Sequence, residues 1–184
     1  NDSVNLFNHP HVVLWHRFLL EEFSPEICGK QYAIIMPCSS TKPYRVSATH
    51  RVVDSSLHRS GIDGYVQIYV LSEPMILVPR ELDIYYPFAN YDYPTTELVP
   101  RYRRRFVELL SQVLPKLRFH GKVVAVLPKH HLEILRESLE RTPSRVPIEV
   151  IPYGKKAFRS VKLAVDTIYS EIACRKPGST PYLA

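Results

Sequence analysis

Glycine is scarce in this chain: six residues in 184, against sixteen prolines. The phosphate-cradling loops built on glycine are accordingly missing, with no GxGxxG and no Walker loop. Nor is there a GxSxG elbow or an HExxH zinc helix. The cysteines are only Cys28, Cys38 and Cys174, an odd number without CxxC spacing, which excludes a disulfide framework and a zinc ribbon. Neither a metal nor a cofactor is expected. No apolar run approaches the roughly 18 residues of a membrane span, and no charged-then-apolar leader opens the chain. The expectation is a cytoplasmic protein without membrane contact. With no internal repeat and no second hydrophobic region, residues 1–184 are expected to form one domain, long enough to bury a core.

Positive charge is abundant. The formal net charge is +6, an excess that favours acidic partners, nucleic acid above all. Hydrophobic residues make up 45% of the chain and charged ones 23%, which is the ordinary balance of a globular protein. The many prolines lower the entropy of the unfolded chain, a device suited to a thermophilic source.

The apolar pattern alternates between helix and strand. Asn8, His9 and Pro10 open a first helix, with Asn8 as its expected cap, and Val12, Trp15, Leu19 and Phe23 recur at helical spacing. Residues 32–36 and 65–71 read as buried strands, and residues 51–59 as a short helix. Tyr102, Phe106, Leu109, Val113 and Leu117 mark a helix that Pro115 ends or kinks. Residues 122–127 and 148–151 are further strands, with helices after each. This succession predicts an α/β fold, a three-layer α/β/α sandwich on a mostly parallel sheet of about four strands.

Most of the chemistry sits in MPCSSTKPYRVSATH (residues 36–50), which leaves a strand and turns abruptly polar. Ligands in open α/β sheets gather beyond the carboxyl ends of strands. The candidate groups there are Cys38, Ser39, Ser40, Lys42, Tyr44, Ser47 and His50. Cys38 beside Lys42 suits nucleophilic attack on an electrophilic carbon, while Lys42 also suits a phosphate anchor or a general acid. A second polar island (residues 72–81) adds Ser72, Glu73 and Glu81. A proline- and tyrosine-rich loop (residues 85–94) adds Asn90, Tyr91 and Asp92, with rings on which a base could stack. Arg101, Arg103, Arg104 and Arg105 form one basic cluster, and Lys155, Lys156 and Arg159 another, both dense enough to be phosphate footprints. Cations in the first turns of the last helix oppose its dipole, which suggests an anion nearby. His130 and His131, adjacent on a helix, are expected to point to different faces and not to share a metal.

The motif PCSSTKPYRVSATH (residues 37–50) resembles the PCSxxKPYxxSxSH signature of the archaeosine synthase alpha-subunit family, with Thr49 where the signature has serine. The segments SEP (72–74), VPREL (78–82), YP (86–87) and NYD (90–92) resemble the same family's later motif, and so do LFNHP (6–10) and WHRFL (15–19). The resemblance implies a uracil-DNA-glycosylase-like fold. It implies a tRNA-modifying enzyme that joins free lysine to the nitrile of preQ0, a cyano-deazaguanine, in the tRNA D-loop. A radical-SAM partner would then cleave the adduct. The motif residues Cys38, Ser39, Lys42, Tyr44, Ser47 and His50 carry over by position, as does Asp92, with Cys38, Lys42, His50 and Asp92 in catalytic roles. Two routes suit them: Cys38 adds to the nitrile to give a thioimidate that lysine displaces, or Lys42 and His50 polarise the nitrile for direct attack. The family's PUA domain and transglycosylase-like domain have no counterpart in this sequence, so either a separate PUA or transglycosylase subunit supplies RNA binding, or the sequence is a fragment, or the protein does something related but different. The rival reading is a non-catalytic tRNA-binding subunit or fragment that presents tRNA to an enzyme. A base-excising glycosylase is a weaker third, since fold does not imply function.

Overall fold

A computed structural model describes residues 6–91 and 100–175. Its centre is β1 (Tyr32–Pro37), whose six residues are all buried. Continuous apolar sequence of this kind belongs to a strand covered on both faces. On one side β1 pairs in parallel with β2 (Val66–Ser72), on the other with β4 (Lys122–Leu127). The edge strands are β3 (Ile76–Pro79), antiparallel to β2, and β5 (Ile148–Pro152), parallel to β4. The order is β3-β2-β1-β4-β5.

Helices cover both faces, as the alternation of elements predicted. Ala33 and Ile35 of β1 face Leu19 of α1 (Pro10–Glu21), Phe106 and Leu110 of α3 (Pro100–Val113), and Leu135 of α4 (Lys129–Arg141). Ile34 and Met36 point the other way, onto Val53 and Leu57 of α2 (Ala48–Arg59) and Val161, Val165 and Ile168 of α5 (Ala157–Arg175). Burying each such side chain contributes about 1.5–3 kcal/mol. A third cluster, of Val12, Tyr44, Val70, Met75, Val78 and Phe88, closes the core under the motif loop.

Three expectations need correction. The sheet has five strands rather than about four, because Ile76, Leu77 and Val78 leave the polar island to pair with β2. Helix α2 starts at Ala48 rather than Arg51, since Ser47 is its N-cap and accepts from the His50 amide at 3.4 Å. The cap of α1 is His9, whose Nδ1 accepts from the His11 amide, and not Asn8. Pro115 acts as expected: α3 ends at Val113 and a 3-10 stretch, Leu114–Phe119, carries the chain to β4.

Candidate active site

Strand order decides where a site can form. The chain runs from β1 to β2 on one side and later returns to β4 on the other, so the topology switches between β1 and β4. The connections diverge there and leave a crevice at the carboxyl ends. Cys38 is the first residue past β1, tied to β2 by its amide on Leu71 O at 3.0 Å. His131 lies in the first turn of α4, which starts two residues past β4. Glu73 is the first residue past β2. Three strand ends thus deliver a thiol, an imidazole and a carboxylate to one place.

Cys38 Sγ is 3.9 Å from Glu73 Oε2 and 4.0 Å from His131 Nε2. His131 Nε2 is 3.1 and 3.2 Å from the two carboxylate oxygens, and His130 Nε2 is 3.0 Å from Oε1. The two histidines therefore converge on one carboxylate instead of facing apart. In the first turn of a helix no preceding turn restricts their rotamers, so neighbours can lean to the same side. Glu73 and His131 are buried, His130 exposed. Burial alone would raise the Glu73 carboxyl, but hydrogen bonds and charge from His131 and His130 hold it below its ordinary value. For His131 burial works downward, and hydrogen bonds to Cys38 and Glu73 outweigh it, raising it to about 10. His131 Nε2 then keeps a proton at neutral pH, directed at the thiol and the carboxylate. In the cation the buried Nδ1 goes without an acceptor, at about 1–3 kcal/mol, which the charge-assisted bonds to Glu73 offset. The three ligand atoms of Cys38, Glu73 and His131 lie within 4.8 Å of one another, so they also have the composition of a borderline-soft metal donor set, contrary to the expectation of none.

The Glu73 turn is held under strain. Ile76, buried and β-branched, has φ +73°, a left-handed conformation that costs about 1–3 kcal/mol and is found where the surroundings over-determine it. Two side chains of α1 hold this turn: His16 Nε2 meets Pro74 O at 2.6 Å and Trp15 Nε1 donates to Met75 O at 2.9 Å.

Beside Cys38 lies a hydroxyl cluster. Tyr44, Ser72 and Tyr91 join their hydroxyls in one hydrogen-bonded set. Burial pushes both phenols well up from their ordinary value, which keeps them neutral donors. The Lys42 ammonium donates to Ser39 O and sits 4.6 Å over the Tyr91 ring and 5.4 Å from that of Tyr44. Cys38, Lys42, Tyr44, Ser72, Glu73 and Tyr91 are thus brought together.

Other expected site residues are elsewhere. His50 is buried, its Nε2 3.0 Å from Pro37 O and its Nδ1 3.3 Å from Arg80 Nη1. Burial, against the Pro37 bond and with the Arg80 charge, lowers it to about 4. It pins the end of β1 as a neutral ring, and His131 supplies the imidazole at the thiol. Glu81 pairs with Gln67 at 2.7 Å and Lys30 at 3.8 Å, away from the strand ends. Ser47 is a helix cap, Ser39 Oγ turns back to Thr41 O at 2.6 Å, and Ser40 and Asn90 are exposed. Asp92 lies outside the described residues. Of the arginine run, Arg103 is tied to Glu137, Arg105 to Glu108 at 3.6 Å, and Arg101 to the Tyr102 hydroxyl at 2.6 Å, leaving Arg104 exposed. Lys155, Lys156 and Arg159 are exposed.

The model of the domain of unknown function DUF5591 matches residues 12–160. The chain belongs to that family. It is 26% identical over 167 residues to the archaeosine synthase subunit alpha of Thermococcus kodakarensis, covering 86% of this chain and 28% of that protein. It is 32% identical over 111 residues to the archaeosine synthase of Methanocaldococcus jannaschii, covering 55% of this chain and 18% of that one. This DUF5591 chain therefore spans less than a third of the length of these relatives. Among solved structures it is similar to AF0587, a protein of unknown function, at a TM-score of 0.53 and 23% identity over 86% of this chain and 49% of that one. That likeness concerns the fold. No helix among the described residues is long and apolar enough to cross a membrane.

Proposed function

We propose that this chain is a catalytic unit of archaeosine biosynthesis that adds lysine to the nitrile of preQ0 in tRNA, with Cys38 as nucleophile. The observation that carries the reading is the Cys38–His131–Glu73 set at the switch crevice, in a chain similar to archaeosine synthases. A nitrile carbon is an electrophile of the kind a thiolate attacks. His131 Nε2, 4.0 Å from the sulfur, is placed to pass a proton as Cys38 attacks. The sulfur bonds to the nitrile carbon, and His131 Nε2 gives its proton to the nitrile nitrogen, leaving a thioimidate. The free amine of lysine then attacks the same carbon, Glu73 and His131 take its proton, and the carbon–sulfur bond breaks to release the amidine and restore Cys38. Lysine and nitrile combine with no other leaving group. The buried phenols and Lys42 provide donors for the edge of the base, and direct attack without Cys38 is the competing route.

Incubation with preQ0-bearing tRNA and lysine, followed by nucleoside mass analysis, is expected to give a base heavier by one lysine. Binding without any adduct would favour a non-catalytic tRNA-presenting subunit. Turnover is expected to survive dialysis against a chelator. Loss of turnover that zinc restores would make Cys38, Glu73 and His131 metal ligands and remove the thioimidate route.

A further inference from the structure

Helices in this fold return antiparallel to the strands, so all five begin at the carboxyl end of the parallel sheet, where Cys38 sits. Helix N-termini ordinarily collect Asp and Glu, because the exposed amide groups carry partial positive charge. Here none of α1 to α5 has an acidic residue in its first turn. Cations lie at or near four of these starts instead: Arg51 on α2, Arg104 on α3, Lys129 on α4, and Lys155, Lys156 and Arg159 around the start of α5. All six are exposed. None has a carboxylate partner among the described residues.

Several cations elsewhere are neutralised, although Arg59, Arg118, Arg136 and Arg145 are exposed without a carboxylate partner among the described residues. Arg45 pairs with Asp83, Arg80 with Asp54, Lys122 with Glu149 at 2.8 Å, and Arg175 with Glu171 at 2.9 Å. The carboxylates Asp63 and Glu81 lie by the start of β2, at the opposite pole, while Asp83 is taken up by the amide and guanidinium of Arg45. Glu73, at the site itself, is enclosed by His130 and His131. At the carboxyl end of the sheet the helix dipoles and these unpaired cations thus act together. That arrangement weakens the helices it sits on, so its use lies outside the fold.

We infer that the carboxyl end of the sheet is an RNA-docking face, on which Arg51, Arg104, Lys129, Lys155, Lys156 and Arg159 hold backbone phosphates while a base enters the crevice at Cys38. The inference rests on the tRNA reading above and adds to it the surface and the direction of approach. Phosphate contacts of this kind position a nucleic acid without reading its sequence. Exposed cations spread over four helix starts suit an extended polyanion better than a single small anion.

The test measures binding of a fluorescently labelled tRNA transcript across a range of salt concentrations. The variant K129Q/K155Q/K156Q is compared with a control, R118Q/R136Q/R145Q, whose exposed cations lie off this face. Each lost phosphate contact should flatten the slope of log affinity against log salt by about 0.7–0.9. The first variant should therefore lose about two units of slope and bind at least tenfold more weakly at about 0.1 M salt. Its melting temperature should stay level or rise, because cations opposing helix dipoles are gone; a structural role for these lysines would lower it. An unchanged slope, or an equal loss in the control, would overturn the inference. The outcome is separable from the catalytic reading. A chain that binds through these lysines yet never transfers lysine keeps the docking face and loses the enzyme. A chain that transfers lysine with the same slope in both variants keeps the enzyme and loses the docking face.

Discussion

His131 and His50 hold protons in opposite ways, and their titrations bracket the pH range of the fold. His50 is neutral when buried and lowered to about 4, against roughly 6.5 when unfolded. Its contribution is present above pH ~6.5 and is lost as pH falls toward 4, a change of roughly 3 kcal/mol. Glu73, also depressed, loses its contribution in the same direction. His131, raised to about 10, contributes fully below about 6.5 and loses its share as pH climbs through its folded value. Urea midpoints should therefore peak near neutrality and fall on both sides, and H50Q should flatten the acid limb. An acid limb equally steep in H50Q would refute the assignment. Cys38 was legible in the sequence because it stands where an apolar strand turns polar. His131 was not, since it lies 93 residues away and ideal helix geometry sends adjacent side chains apart. His50 was misplaced for the converse reason: membership of a polar motif does not say whether a side chain faces the cavity or the strand beneath it.

The elements bear out how apolar pattern and end signals compete. Strands β1, β2 and β4 were readable because continuous Val, Ile and Leu runs belong to buried parallel strands. Strand β3 was hidden by Pro74, just before it, and Pro79, its last residue, which is tolerated at a sheet edge. The start of α2 is not legible because Ser47 stands in a motif dense with reactive groups, where a cap and a site hydroxyl look alike; it serves as a cap. S47A should therefore destabilise the protein by about 1 kcal/mol, or roughly 2–4 °C in Tm for a domain of this size, with lysine transfer largely retained. Unchanged melting would show that the 3.4 Å contact to the His50 amide contributes nothing. Loss of transfer without any loss of stability would return Ser47 to the site.

Across the whole molecule, one topological fact sets both chemistry and charge. A parallel sheet that reverses its direction of winding beside β1 opens a crevice at the carboxyl ends, and the helices that return the chain all aim their N-termini there. The thiol, imidazole and carboxylate come from three different strand ends, so no single stretch of sequence displays them. Two second-layer contacts, His16 on Pro74 and His50 on Pro37, fix the backbone that presents them. The proposed route turns on a bond from Cys38 to the substrate. Intact-protein mass spectrometry after incubation with a preQ0-containing oligonucleotide, in the absence of lysine, tests it directly. A covalent protein–RNA adduct at Cys38 that lysine discharges is expected, absent from C38A and diminished in H131A. Lysine transfer by C38A at the undiminished rate, with no adduct on the unaltered protein, would contradict it.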